Sequence, residues 1–284
     1  EGGRVQRFRT EAFTHLPPAR WYGDYYDQNP ADALRQAHNA GWLLAIELRA
    51  WGIDFSFAPV LDLDQGVSGV IGDRAFHRDP SVVTALTRAF SAGMRSAGMV
   101  AIAKHFPGHG SVTADSHQEL PQDERTFAEI AAQDLRPFAQ LVREEAVAGV
   151  MAAHVRYPAV DTRPATFSPV WLDTVLRQQL GFKGVIASDD LSMGGAAGMG
   201  DYRARAEAAL AAGCELLLVC NHRPGVIQLL EQLKPAKPAN PRLHTLRGAL
   251  GITPRMLHLG KQWHAAVTQL ANFRAQRTSE LAAV

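Results

Sequence analysis

Residues 99–117 read MVAIAKHFPGHGSVTADSH. The run Met99–His105 is apolar at successive positions, so a strand here carries apolar side chains on both faces. That is the signature of a parallel strand covered by helices, not of a half-solvated one. The strand ends on Lys104 and His105, and a polar loop follows. From Lys104 to His117 the chain holds three histidines, one lysine and one aspartate among glycines and a proline. Loops that leave a rigid scaffold in this way are where binding and catalytic groups concentrate.

Four further segments repeat the pattern: Ile53–Leu61 (IDFSFAPVL), Gly149–Val155 (GVMAAHV), Gly184–Ser188 (GVIAS) and Glu215–Cys220 (ELLLVC). Helical patterns separate them. Asn29-Pro30 opens a helix whose face carries Leu34, Ala37, Leu44, Ala45 and Leu48. Pro80 starts another, with Leu86, Phe90 and Met94 in register. Thr126 and Glu129 have capping-box spacing, and Pro137 predicts a break or restart. Ser168-Pro169 starts a helix that Gly181 ends, and Gly213 stops the helix Arg203–Ala212. Pro224–Leu233 reads as helical, Lys234–Pro241 as a linker-like loop, and the tail from Pro254 as helical.

Strands alternating with helices predict an α/β fold with a parallel sheet. Polar residues gather where the strands end: Asp62 and Asp64, Lys104 and His105, His154, Asp189 and Asp190, Asn221 and His222. Chemistry in such folds sits at the carboxyl ends of strands.

Composition sets the limits. The 284 residues are 46% apolar and 20% charged, with 29 Lys+Arg against 28 Asp+Glu. This is globular composition, far from that of a disordered chain. A net charge of +1 with no basic cluster gives no field for nucleic acid or an anionic membrane. Apolar runs such as Val147–Met151 fall well short of the ~20 residues that span a bilayer. No Gly-rich dinucleotide or P-loop motif follows a strand, so no nucleotide cofactor is expected. Cys214 and Cys220 flank one short run and read as buried thiols of a reducing compartment. The chain opens on Glu1-Gly2-Gly3, not Met, which suggests processing or a partial sequence. One domain over 1–284 fits the length, since α/β barrels reach ~250 residues.

Several residues are chemically suggestive. Asp115 and His117 are two apart, a spacing at which a carboxylate can accept an imidazole N–H and set its tautomer. His105, His109, Asp115 and His117 could alternatively ligate zinc, although Pro107 and Gly108 preclude a helical spacing. Of the adjacent Asp189 and Asp190, only one can face the barrel axis, and spacing does not choose between them. Arg74 could hold a substrate with its fork of donors. Arg4 and Arg7 lie in the Gly-rich start.

Taken in order, EGGRVQRFR, FAPVLDLD, GDRAFH, KHFPGHG, DSH and GFKGVIASDDLSM resemble glycoside hydrolase family 3, in its bacterial β-N-acetylglucosaminidase (β-hexosaminidase) branch of the peptidoglycan-recycling type. The resemblance runs over nearly the whole chain. It implies a (β/α)8 barrel, a cytoplasmic and monomeric enzyme, no cofactor and no metal, and a GlcNAc-containing muropeptide as substrate. It implies Asp189 as nucleophile, His117 as general acid/base, and Asp115 as its partner. Arg7, Arg74, Lys104 and His105 would bind the sugar. Imidazole suits both halves of a retaining mechanism because it titrates near neutral pH. The family pattern also places a sugar-binding aspartate two residues before EGG, a position upstream of Glu1. Five strands against the eight of a complete barrel predict a gap worth roughly 60–90 residues at the N-terminal side, with the helical C-terminal part from about 240. Arg74, His105 and Asp189 should converge at the carboxyl ends of adjacent strands. A broader β-glycosidase, a metal-dependent hydrolase using the histidine loop and a non-catalytic sugar-binding protein are the alternatives.

Overall fold

Helices and strands alternate in the computed structural model, which describes residues 1–114, 116, 120–233, 240–249 and 251–282, with backbone alone for 281–282. The elements in chain order are α1 (Arg20–Tyr26), α2 (Pro30–Ala50), β1 (Phe55–Ser56), α3 (Pro80–Ser96), β2 (Val100–Phe106), α4 (Phe127–Ala132), α5 (Leu135–Arg143) and β3 (Gly149–Ala152). There follow β4 (Arg156–Tyr157), β5 (Asp161–Pro164), a π-type helix (Val170–Gln179), β6 (Val185–Asp190), α6 (Tyr202–Ala212), β7 (Leu216–Leu218), α7 (Arg223–Gln232), α8 (Pro254–Leu259) and α9 (Lys261–Ala282).

The five strands expected from sequence form one sheet in the order β1-β2-β3-β6-β7, and every pair is parallel. A further bridge pairs Val60 with Lys104 beyond β1. Among the described residues the sheet has five strands, not eight.

Its two faces are apolar, as the unbroken apolar runs require. Ala101, Ala103, Val150, Ala152 and Ile186 join the main core beneath the helices. Ile102, Met151, Val185 and Ala187 form a second cluster on the opposite face. The 3-10 turn Pro241–Leu246 packs Leu243 and Leu246 into that second cluster. On the outer side α2 and α3 cross in close contact. A Cβ on Gly41 would lie 2.1 Å from the Phe90 carbonyl, and one on Gly93 2.0 Å from that of His38.

Local signals hold. Asn29 accepts from Asp32 N–H at the start of α2, and Thr126 and Glu129 cap α4 reciprocally. The Ser168 hydroxyl accepts from Trp171 N–H. Gly181 and Gly213 end their helices with positive φ. Pro137 falls in the first turn of α5, where a missing N–H costs little, so the break lies before Leu135. Positions 234–239 of the expected linker lie outside the described residues.

Two elements have no counterpart in the sequence reading. The antiparallel pair β4–β5 is too short and polar to show a period of two. Helix α1, RWYGDYY, is poor in helix formers. It is held instead by Tyr22 and Tyr25, whose rings lie 5.3 and 5.4 Å from Phe273 of α9.

Trp171 is fully buried, with the rings of Tyr157, Phe127 and Phe106 at 5.1, 6.0 and 6.1 Å. Trp171→Ala should therefore cost about 3–5 kcal/mol in urea unfolding. Leu259→Ala, at a site 75% exposed, should stay within about 0.5 kcal/mol of the wild type.

Candidate active site

The polar strand ends open into one cleft of about 770 Å³, walled by Arg4, Arg7, Gly69–Ile71, Arg74, Lys104, His105, His109, Ser116, Met151, Asp189, Asp190, Cys220 and Asn221. That volume suits a small organic ligand. Arg74, Lys104, His105 and Asp189 thus converge as expected, with Arg7 at the rim. Asp115 and His117 lie outside the described residues. Ser116, between them in sequence, lines the cleft.

Both aspartates line the cleft, since the register against β7 slips between Ala187 and Asp190, and their hydrogen bonds separate them. Asp190 is spent on structure. Its carboxylate accepts from Ser192 N–H, the Ser192 hydroxyl and Cys220 N–H at 2.7–2.9 Å. Among the described residues the Asp189 carboxylate accepts only the Asp190 N–H, at 2.8 Å. Burial works to protonate Asp189, but His105, His154, that N–H and Lys104 outweigh it and hold its pKa below the ordinary value.

Lys104 and His105 both reach the cleft although they are consecutive. The register against β3 slips between Ala103 and Phe106, and a bulge of this kind re-aims side chains at a strand end. Lys104 and Arg74 share the Glu1 carboxylate. Arg74 donates to it at 2.8 and 3.1 Å, and the Lys104 ammonium pairs with it. Burial opposes charge on Glu1, yet the two cations keep its pKa well below normal.

Beneath them sits Asp62, fully buried. His105 Nδ1–H donates to Asp62 at 2.6 Å, and the backbone N–H groups of His105 and His109 donate at 3.3 and 2.7 Å. Burial pushes its pKa up. His105 beside it, that hydrogen bond, His109 and the His109 N–H pull it down further, below the usual value. The protonated Nδ1 fixes the orientation of the His105 ring. Sequence reasoning noted Asp62 only as a polar strand end. Its place at the close of FAPVLD, opposite KH on the next strand, was the available signal.

His109, one of the candidate zinc ligands, and His154, expected only as a polar strand end, are both buried. Burial lowers both pKa values, with His105 adding to the effect on His109, so both rings are neutral at pH 7. His154 Nε2–H donates to the Asp190 carbonyl at 3.0 Å, and its ring stacks on Phe167. Among the described residues no group of three or more His, Cys, Asp or Glu is placed to hold a metal ion. In the zinc reading, His105 Nδ1 is committed to Asp62 and His109 Nε2 to Ser116, while the other two ligands lie outside the described residues.

A barrel-type parallel sheet with an ionised carboxylate and fixed cations in one open cleft defines a class: an enzyme acting on a small polar substrate. Comparison with known proteins narrows it. Residues 1–244 match the model of the glycosyl hydrolase family 3 N terminal domain. A β-hexosaminidase of Methylococcus capsulatus is 53% identical over 96% of this chain and 81% of its own length. Crystal structures of NagZ from Neisseria gonorrhoeae superpose with TM-scores of 0.88, in complex with N-trifluoroacetyl-D-glucosamine, and 0.87, in complex with zinc. They are 43% and 42% identical, covering 96% of this chain and 79% of those chains. The chain belongs to glycosyl hydrolase family 3 and is a glycoside hydrolase of the β-hexosaminidase type. Among the described residues no helix is long and apolar enough to cross a membrane.

Asp62 supplies a stability prediction with a definite sign. Its folded pKa is depressed, so its contribution is present above the unfolded value of ~3.9 and is lost as pH falls through the folded value. Asp62→Asn removes a buried carboxylate that accepts three hydrogen bonds, which should cost about 1–3 kcal/mol at pH 7. The difference from wild type should shrink below about pH 4, read by chemical denaturation at each pH.

Proposed function

We propose that the protein is a retaining exo-β-N-acetylglucosaminidase that removes terminal β-linked GlcNAc from peptidoglycan-derived fragments of the GlcNAc–anhydro-MurNAc kind. It would work as a cytoplasmic monomer and need neither cofactor nor metal. The observation that carries the proposal is Asp189: an ionised carboxylate at a strand end, lining the cleft and held by imidazole groups, a backbone N–H and Lys104.

A retaining glycosidase needs a nucleophile and a separate acid that turns base in the second step. Asp189 attacks the anomeric carbon and forms the glycosyl-enzyme ester as the glycosidic bond breaks. His117 gives its proton to the leaving oxygen, then takes one from the water that hydrolyses the ester. Asp115 supports the imidazolium. Because the acid/base is an imidazole and not a carboxylate, it adds no negative charge beside Asp189. Arg7, Arg74, Lys104 and His105 offer fixed donors to hydroxyl and acetamido groups. Holding the ring in a reactive position is worth much of the barrel's preorganisation. The depressed pKa of Asp189 keeps the nucleophile ionised throughout the neutral range.

Three measurements test this. Asp189→Ala should abolish turnover of an aryl β-N-acetylglucosaminide and of the natural disaccharide alike. His117→Ala should lower disaccharide turnover by about 10²–10⁴. An activated aryl substrate, which hardly needs the acid, should accumulate the covalent intermediate, and azide should restore its turnover. A loss within threefold would move the acid/base role elsewhere, with His105 or His109 as next candidates. A chelator should leave activity unchanged, whereas activity lost to the chelator and regained with zinc would favour the metal-dependent alternative. The matching aryl glucoside should be a markedly poorer substrate, which separates this reading from a broader β-glycosidase.

A further inference from the structure

We infer that Ser116 is a positioning residue: it pins the histidine loop to the barrel through His109 and Gly195, and so aims the acid/base. The inference rests on the functional reading above, because it concerns the loop that carries Asp115 and His117.

Ser116 is 1% exposed, unusual for a serine in a loop. Two elements hold it. Its hydroxyl shares a 2.8 Å hydrogen bond with Nε2 of His109, itself 1% exposed. Its carbonyl accepts from the N–H of Gly195, at 2.9 Å, in the 3-10 helix Gly194–Met199 that follows the nucleophile strand. A Cβ on Gly195 would lie 3.0 Å from the His154 Cβ and 3.1 Å from the Ser116 carbonyl, so the contact is close on both sides. His109 is in turn fixed, since its backbone N–H donates to Asp62 at 2.7 Å. One connected set of bonds therefore joins Asp62 to His109, His109 to Ser116, and Ser116 to the segment just beyond Asp189 and Asp190.

The chemistry gives this pin a purpose. The nucleophile stands on a strand and the acid/base on a loop, yet both must meet one glycosidic bond. A displacement of about 1 Å can cost up to a hundredfold in rate. Chain connectivity ties Asp115 and His117 to a residue anchored on both sides. A buried neutral imidazole makes a stable anchor, because burial keeps His109 from charging.

The test compares Ser116→Ala, His109→Phe and His109→Gln. Glutamine keeps a polar atom near the Nε2 position, whereas phenylalanine keeps the ring and removes the bond. For Ser116→Ala and His109→Phe, kcat/KM for the disaccharide should fall ten- to a hundredfold. For an activated aryl substrate kcat/KM should hold, kcat should fall, and azide should restore it, because only the acid/base is misplaced. His109→Gln should recover most of the disaccharide activity. Amide hydrogen exchange of the peptide covering residues 111–118 should speed up in Ser116→Ala and His109→Phe only. A merely structural role predicts loss on both substrates together, without azide rescue, and that result overturns the inference. Ser116→Ala within threefold of wild type on the disaccharide overturns it alone if His117→Ala is crippled. An unimpaired His117→Ala sinks the functional reading and the positioning role with it.

Discussion

A carboxylate sealed from water must be paired or protonated, and Asp62 meets that condition with the very groups the site needs fixed. One oxygen holds the His105 ring and the other collects the N–H groups of His105 and His109. The end of the segment after β1, the end of β2 and the turn after it are thereby one unit. Tyr157 adds a further tie, its hydroxyl donating to the Gly108 carbonyl at 2.5 Å. Rigidity here is a consequence of charge burial: no rearrangement frees Asp62 from His105 without leaving an unpaired charge in the core.

The same logic leaves Asp189 available. Of the carboxylates Glu1, Asp62, Asp189 and Asp190, three have full occupation. Glu1 is shared by Arg74 and Lys104, Asp62 by the two histidines, and Asp190 by Ser192 and the Cys220 N–H. Only Asp189 faces the cleft while accepting a single N–H from the described residues. The carboxylate left open to the cleft is thus the one that the fold does not satisfy internally among the described residues. The groups around it, His105 foremost, lower its pKa, which favours ionisation at some cost in basicity.

How much of this was legible in the sequence follows from where each signal resides. The five parallel strands were, because burial on both faces writes an uninterrupted apolar run. Helix starts were, because Asn29, Thr126 and Ser168 act on their own neighbours. Helix α1 was not, since its stability comes from Phe273 some 250 residues away and not from RWYGDYY. The choice between Asp189 and Asp190 was not legible from spacing either. It needed the hydrogen bonds that occupy Asp190 and leave Asp189 with one N–H among the described residues, although the family resemblance had already pointed to Asp189. Asp62 shows the sharpest limit: a strand-end aspartate looks the same in sequence whether it meets substrate or props a histidine, and only the partner across the sheet distinguishes the two.

The division of labour between strand and loop explains why so many bonds surround the cleft without touching substrate. A strand end is stiff by virtue of its ladder, so Asp189 needs only its own backbone and the neighbouring His154 bond to the Asp190 carbonyl. A loop has no ladder, and its position must come from side chains. His109 and Ser116, which share a hydrogen bond there, are polar and buried, the combination that gives direction without adding a charge beside Asp189. Apolar packing could hold such a loop in place but would not fix its orientation, because hydrophobic contact is non-directional. Directional hydrogen bonds to a buried neutral imidazole are therefore the form of support that a loop without a ladder requires.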